Sequence, residues 1–196
     1  MKRIIALFAL VSIFMSCDVI NQVTGLATLT QCEYKYNTIN DIQLAGVNLG
    51  KGSSLSLANF AAISSILSGG SMDVIPLSMT LMLDVENPNT ATALLSALDY
   101  DIHINDMQLT TGQVNSPLRI EGGGNAVLPI TIGVNLKNLM NQYSRDKVSQ
   151  EMSGFLGLSS EPTRVKVNIW PKLMVGNTPI RVPAAIPIEF KFGGKK

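Results

Sequence analysis

The chain is poor in the side chains that carry most metal and nucleophile chemistry. Among its 196 residues there are one histidine and two cysteines. Zinc sites in proteins are built largely from histidine and cysteine, so without a second histidine or a second usable cysteine a zinc site lacks its usual ligands. The acidic residues do not follow the spacing of a calcium-binding EF-hand loop. We therefore expect neither a metal nor a cofactor.

His103 and two aspartates are the remaining candidates for acid–base catalysis. His103 falls on the polar side of a predicted strand, beside Asp101, and Asp99 and Asp101 flank Tyr100. A histidine on a solvated strand face is more often a surface residue than a general base. Nothing in the pattern singles out either carboxyl group as a proton donor. We expect a protein that is not an enzyme and has no catalytic residues.

The charge balance gives no sign of nucleic-acid binding. The chain has 15 basic and 14 acidic residues, and removal of the first 16 residues would take away two of the basic ones. A protein that binds nucleic acid usually carries a basic patch. The glycine-rich stretch 122–125 is not followed by a lysine or a predicted helix, as a phosphate-binding loop would be. We interpret it as a connection between strands.

The apolar run at the start of the chain is too short to cross a membrane. It covers residues 4–15 and follows Lys2 and Arg3, which is the layout of a secretory signal peptide. A spanning helix needs about 20 apolar residues, because it rises about 1.5 Å per residue through about 30 Å of hydrocarbon. We therefore expect residues 1–16 to be a signal peptide.

This run ends at Ser16, Cys17 and Asp18, which resemble the lipobox of bacterial lipoproteins. In that family the cysteine thiol is joined to diacylglycerol, and cleavage occurs just before the cysteine. The resemblance implies lipid attachment at Cys17, a tether over residues 17–30, and a place in the bacterial cell envelope, for which we expect the outer membrane. The alternative is an ordinary secreted protein with an incidental cysteine.

Acylation of Cys17 would leave Cys32 as the single free cysteine, so no internal disulfide could form. By strand alternation Cys32 shares a face with Tyr34 and Tyr36. We expect a small buried side chain there and not a reactive thiol. The fold then depends on packing.

Alternation of apolar and polar residues predicts five strands. In residues 77–86 the odd positions are apolar and the even positions are mostly polar. The same period of two extends over residues 100–104, 128–136, 165–169 and 186–192. Successive side chains of a strand point to opposite faces, so this pattern is typical of strands with one buried face. Turn residues separate the strands, and we predict an antiparallel β-sandwich.

Two stretches have helical periodicity instead. Residues 56–70 carry apolar residues at spacings of three and four and end at two glycines, and residues 136–157 carry an apolar stripe opposite charged residues. We expect both to be helices packed against the sandwich, the first as an insertion. Gly112 is expected to supply a turn with a positive φ angle.

Residues 75–175 carry a recognisable set of turn and strand residues, namely Asn87-Pro88-Asn89, Tyr100, Asn105-Asp106, Gly112 and Gly122 to Gly124. With this set the segment resembles the late embryogenesis abundant group 2 domain, also called the water stress and hypersensitive response (WHy) domain. The resemblance implies a mainly β, immunoglobulin-like or fibronectin-like sandwich of about seven to eight strands with one or two helices, in one domain over residues 31–196. Family members are usually given a stress-protective role without catalysis.

Two functions of different kinds follow. The first is a lipid-anchored envelope protein that contacts the membrane through Cys17 and binds or protects other envelope proteins. The second is a periplasmic carrier whose interior holds a lipid or another apolar ligand, which the mean hydropathy of +0.25 would suit. Much of that hydropathy comes from the first 16 residues, so we prefer the first function.

Overall fold

The computed structural model describes residues 27–50, 57–68, 72–175 and 178–194. Within these ranges the chain is mainly β. The strands are β1 (Glu33–Leu44), β2 (Val47–Gly50), β3 (Pro76–Glu86), β4 (Ala93–Leu95), β5 (Ala97–Ile104), β6 (Met107–Val114), β7 (Leu118–Ile120), β8 (Asn125–Asn135), β9 (Thr163–Val175), β10 (Thr178–Arg181) and β11 (Ile186–Phe192). The helices are α1 (Leu57–Leu67), α2 (Leu136–Tyr143) and α3 (Arg145–Phe155).

Four strands form the first antiparallel sheet, in the order β2-β1-β3-β8. Along β3, buried residues alternate with exposed or half-buried ones from end to end. The register places Leu81 between Ile39 of β1 and Ile130 of β8. A strand with one face against the core needs an apolar side chain at every second position, so the period of two predicted this strand correctly. The buried positions are Leu77, Met79, Leu81, Leu83 and Val85.

The second antiparallel sheet has the order β10-β9-β5-β6, and β11 also pairs with β9. With 13 residues, β9 is long enough to pair with β11 along its first half and with β10 near its end. The change of neighbour falls at Pro171, which has no N–H to donate to an adjacent strand. The short strands β4 and β7 pair with each other in a third, two-stranded sheet.

One apolar core fills the space between the two large sheets. Along one side, β1 meets β11 where the rings of Tyr36 and Phe190 stack, with their centroids 4.0 Å apart. Along the other side, the hydroxyl of Tyr100 in β5 donates a hydrogen bond of 3.2 Å to the carbonyl of Thr131 in β8. The two sheets are joined on both sides, and the predicted β-sandwich with packed helices is confirmed.

The strand count follows the prediction for the longer strands. Eleven strands lie in the described ranges, and four of them have only three or four residues, namely β2, β4, β7 and β10. Seven longer strands remain, within the expected seven to eight, and the alternation pattern predicted five of them, namely β3, β5, β8, β9 and β11. The short ones were not predicted because a period of two cannot be recognised over three or four residues.

Proline occurs on three edge strands. Pro129 lies in β8, Pro179 in β10 and Pro187 in β11, and each of these strands pairs with one neighbour among the described residues. An edge strand tolerates proline when the missing N–H faces away from the partner strand.

Gly112 does not lie at a turn, and the expectation of a positive φ angle there was wrong. It lies inside β6, directly opposite Tyr100 of β5, and its φ is not in the positive range. A Cβ at this position would overlap the phenol group of Tyr100. The glycine is needed because the tyrosine ring covers the place of a side chain, as aromatic residues often do opposite glycines in sheets.

The predicted helix over residues 136–157 is two helices. Ser144, between α2 and α3, has φ 86° and ψ 151°, which interrupts the helical backbone. Its hydroxyl accepts a hydrogen bond of 3.4 Å from the N–H of Lys147 and so caps α3. The apolar faces of both helices are buried as predicted. The buried residues are Leu136, Leu139, Met140, Val148, Met152 and Phe155.

The helix predicted in residues 56–70 is confirmed over Leu57–Leu67, and its expected end at Gly69-Gly70 lies outside the described residues. Ile63 is fully buried, at 0% exposure. The hydroxyl of Ser149 in α3 donates a hydrogen bond of 2.9 Å to the carbonyl of Leu67, so the end of α1 contacts α3. None of the helices in the described ranges is long and apolar enough to cross a membrane.

The chain joins the core before β1 begins. Residues 27–30 form a helical turn, in which Leu29 is 1% exposed. The hydroxyl of Tyr34 donates to the carbonyl of Leu29 at 2.9 Å, and the thiol of Cys32 donates to the carbonyl of Thr28 at 3.4 Å. Burial raises the pKa of the Cys32 thiol, in agreement with the expected small buried side chain. Residues 17–26 of the predicted tether lie outside the described residues.

Candidate functional site

The Asn-Pro-Asn motif follows β3 directly, and its hydrogen bonds stabilise the fold. Asn87 is fully buried, at 0% exposure. Its side-chain amide donates to the carbonyls of Ala91, Ile120 and Glu121 at 2.9, 3.1 and 3.1 Å. Its side-chain oxygen accepts hydrogen bonds of 3.1 Å from the backbone and from the side chain of Asn89. The motif therefore joins the end of β3 to the loops that precede β4 and follow β7.

The glycine-rich connection 122–125 packs on the same motif. The N–H of Gly123 donates to the carbonyls of Asn87 and Asn89 at 3.0 and 2.9 Å, with Gly123 at a φ of +69°. A Cβ on Gly122 would overlap the backbone carbonyl of Thr90. The sequence identified both segments as connections but did not indicate that Asn87 is buried between them.

The candidate site lies on the outer face of the second sheet. Asp99 of β5 lies opposite Trp170 of β9 and opposite Gln113 of β6. Lys172 of β9 lies opposite Arg181 of β10. Asp99, Trp170 and Lys172 alternate with buried residues along β5 and β9, so they point away from the core. The strand register places Gln113 and Arg181 beside them on the same face. We call these five residues, Asp99, Gln113, Trp170, Lys172 and Arg181, the Trp170 cluster.

Two ion pairs and a ring contact join four of the five residues of the Trp170 cluster. Lys172 Nζ lies 2.6 Å from Asp99 Oδ1, and Arg181 Nε lies 3.7 Å from Asp99 Oδ2. The guanidinium of Arg181 lies over the ring of Trp170, 4.2 Å from its centroid, in a cation–π contact. The side chains of Lys172 and Asp99 are only 15% and 26% exposed, so water screens their attraction less than at an open surface.

A second group of polar side chains continues this face toward the β5–β6 turn. The side chain of Asn168 donates to Asp101 Oδ1 at 2.7 Å, and His103 Nε2 lies 3.6 Å from Asp101 Oδ2. His103 is 30% exposed, as expected for a residue on the polar side of its strand. Asp99 and Asp101 have separate partners, and this arrangement does not form an acid–base pair.

A depression of about 500 Å³ opens beside the Trp170 cluster. Carboxylate, amide, hydroxyl and guanidinium groups contribute to its walls, which can form many hydrogen bonds. Among the described residues, no group of three or more His, Cys, Asp or Glu side chains is placed to hold a metal ion. The lining residues are Asp99, Tyr100, Asp101, Thr111, Gly112, Gln113, Trp170 and Arg181.

Sequence reasoning did not find the Trp170 cluster. The even positions of β9 hold Lys166, Asn168, Trp170 and Lys172, and their alternation with apolar residues was a usable signal for a polar face. Arg181 gave no such signal, because β10 has only four residues. The one site residue that the sequence did predict, Cys17, lies outside the described residues.

A family model matches just over half of the chain. The model, described as late embryogenesis abundant protein, covers residues 82–182, from the second half of β3 to the residue after β10. No curated protein sequence shows significant similarity to the chain.

Three solved structures are similar to the structure of this chain. A protein from Archaeoglobus fulgidus is 19% identical, with 65% of this chain and 92% of that chain covered and a TM-score of 0.40. A candidate late embryogenesis abundant protein is 13% identical, with 86% and 75% covered and a TM-score of 0.39. A protein from Arabidopsis thaliana is 13% identical, with 61% and 73% covered and a TM-score of 0.37.

Proposed function

Because the chain belongs to the late embryogenesis abundant family, we propose that it is a non-enzymatic, lipid-anchored protein of the bacterial cell envelope that binds and protects other envelope components. The observation that supports binding at the surface is the distribution of apolar and polar groups. Apolar side chains of both sheets form one buried cluster, whereas the Trp170 cluster and its depression lie on the outside.

The anchor in this proposal is the lipid on Cys17. Burial of acyl chains contributes about 0.8 kcal/mol per CH₂, and two or three chains attach a protein to a membrane far more firmly than one. The described part of the chain begins at residue 27, and the ten residues from Cys17 reach at most about 33–36 Å when fully extended. The sandwich would therefore remain close to the bilayer, which we expect to be the outer membrane.

Metabolic labelling with a fatty acid tests the anchor. The wild-type chain and a Cys32→Ser variant should incorporate the label, whereas Cys17→Ser should not, because the thiol that carries the lipid is gone. Cys32→Ser is the matched control, since it removes the other cysteine of the chain. Label on the Cys17→Ser protein would show attachment elsewhere and contradict this part of the proposal.

Purification of the intact protein from membranes tests whether it binds other envelope components. We expect specific envelope proteins to co-purify with it in mild detergent. Native mass spectrometry of the same sample distinguishes the apolar-ligand carrier, which would retain a lipid in addition to the covalent anchor. A retained lipid with no protein partner would contradict the proposed binding of envelope proteins and support the carrier function.

A further inference from the structure

The depression beside the Trp170 cluster has the size and lining of a site for a polar ligand. Its volume of about 500 Å³ falls within the roughly 300–1,000 Å³ typical of small-molecule sites. Such sites are usually lined mainly by apolar side chains, whereas most of the side chains around this depression are polar or charged. We propose that it binds a neutral saccharide. The inference goes beyond the proposed function and does not depend on the lipid anchor.

Arg181 is in place before a ligand arrives. Its guanidinium lies over the ring of Trp170, and its Nε contacts Asp99, while its two terminal nitrogens make no hydrogen bond with any described residue. The side chain is 48% exposed, so these nitrogens are accessible. Because the guanidinium is already ordered, it loses little side-chain entropy when its N–H groups donate to ligand oxygens.

The charges around the depression balance and so favour a neutral ligand. Asp99 and Asp101 carry two negative charges, and Arg181 and the adjacent Lys172 carry two positive charges. A phosphate or carboxylate ligand would be repelled by the two carboxylates, and an organic cation would be repelled by the guanidinium. A neutral ligand avoids both repulsions.

The hydrogen-bonding groups match a ring with several hydroxyls. The carboxylate of Asp99 only accepts hydrogen bonds, the guanidinium of Arg181 only donates them, and Thr111 and Gln113 can do both. A sugar hydroxyl also donates and accepts, so one hydroxyl can connect an aspartate with the arginine. Trp170 also lines the depression, and the part of its indole that Arg181 does not cover adds apolar surface for the C–H groups of the sugar ring.

The experiment uses a natural reporter. Trp170 is the single tryptophan of the chain, so its fluorescence and its indole N–H resonance report on this site alone. The full chain, in a detergent without a sugar headgroup, is titrated with chitotriose, maltotriose and trehalose up to about 10 mM, which covers millimolar affinities. We expect a saturable change in at least one of the two signals with at least one of these sugars.

Two variants and a matched control assign the binding to the depression. Arg181→Ala and Gln113→Ala remove exposed groups of the site, and each should weaken the affinity at least about tenfold, equivalent to about 1.4 kcal/mol. Arg164→Ala removes the same charge from the far end of the same face, where Arg164 pairs with Asp106 at 3.6 Å. This control should bind as the wild type does.

Three results would overturn the inference. The first is that none of the three sugars gives a saturable signal. The second is that a sugar binds the Arg181→Ala and Gln113→Ala variants as tightly as the wild type. The third is that inorganic phosphate saturates the site while the sugars do not, which would make it an anion site.

Discussion

The buried side chain of Asn87 offers a sharp test of what stabilises the sandwich. Asn87→Asp keeps the shape of the side chain and replaces its NH₂ group with an oxygen. The carbonyls of Ala91, Ile120 and Glu121, which accept hydrogen bonds from that group at 2.9–3.1 Å, would then face an acceptor. The change therefore removes donors without creating a cavity.

The magnitude follows from the number of hydrogens. An NH₂ group has two hydrogens, so the three carbonyls share two donors. Each lost hydrogen bond costs about 0.5–1.5 kcal/mol, and a buried group left without a partner costs about 1–3 kcal/mol. We expect Asn87→Asp to lose about 3–5 kcal/mol of the free energy of unfolding. For a domain of this size a loss of 4 kcal/mol lowers Tm by about 8–16 °C.

Thermal and denaturant unfolding of the two variants Asn87→Asp and Asn125→Asp measure the effect. Asn125 is exposed at the start of β8, opposite Glu86, so the same chemical change there should cost at most about 1 kcal/mol from like-charge repulsion across the strands. The comparison removes the effect of adding a negative charge at this end of the sandwich. Equal losses in the two variants would refute the assignment of Asn87 as an essential donor.

Two further predictions concern single strands, each with a neighbouring control. Leu81→Ala should cost about 2–5 kcal/mol because Leu81 is 1% exposed in the core, whereas Thr80→Ala, on the outer face, should cost about 0.5 kcal/mol or less. Comparable denaturation midpoints for this pair would contradict the assigned faces of β3. Gly112→Ala should cost about 1–3 kcal/mol through overlap with Tyr100, whereas Gly133→Ala, with no atom within 4 Å of the added Cβ, should change stability little. If calorimetry gives the two glycine variants the same Tm, the close packing of Tyr100 on β6 is wrong.

The sequence predicted those parts of the fold that depend on one buried face. Leu77 to Val85 of β3 and Ile186 to Phe192 of β11 alternate because one face of each strand meets the core, and this requirement is visible in the sequence itself. The break at Ser144 was not visible, because the apolar stripe continues across it and gives no sign of a change in backbone direction. Gly112 was misinterpreted for a related reason. Its role depends on Tyr100 of another strand, and a glycine alone does not reveal which neighbour needs the space.

The candidate site was harder to predict, because its residues come from separate strands. Asp99, Trp170 and Arg181 lie far apart in the sequence and meet only through the pairing of β5 with β9 and of β9 with β10. Strand order within a sheet is not encoded in the alternation of any single strand. Asn87 was missed for a different reason. Its partners are mostly backbone carbonyls, which carry no residue type for a sequence pattern to show.

The prolines on the edge strands have a consequence for crowded conditions. A protein confined to a membrane surface, or losing its water, meets other copies at high local concentration, and open strand edges are the usual route to β-aggregates. Pro129, Pro179 and Pro187 lie on β8, β10 and β11, and a proline has no N–H to donate to a strand added at an edge. A strand that approached one of these edges would find a hydrogen bond missing from the new ladder. The sandwich is therefore protected against the addition of a strand at these three edges, whereas the edge strands β2 and β6 carry no proline.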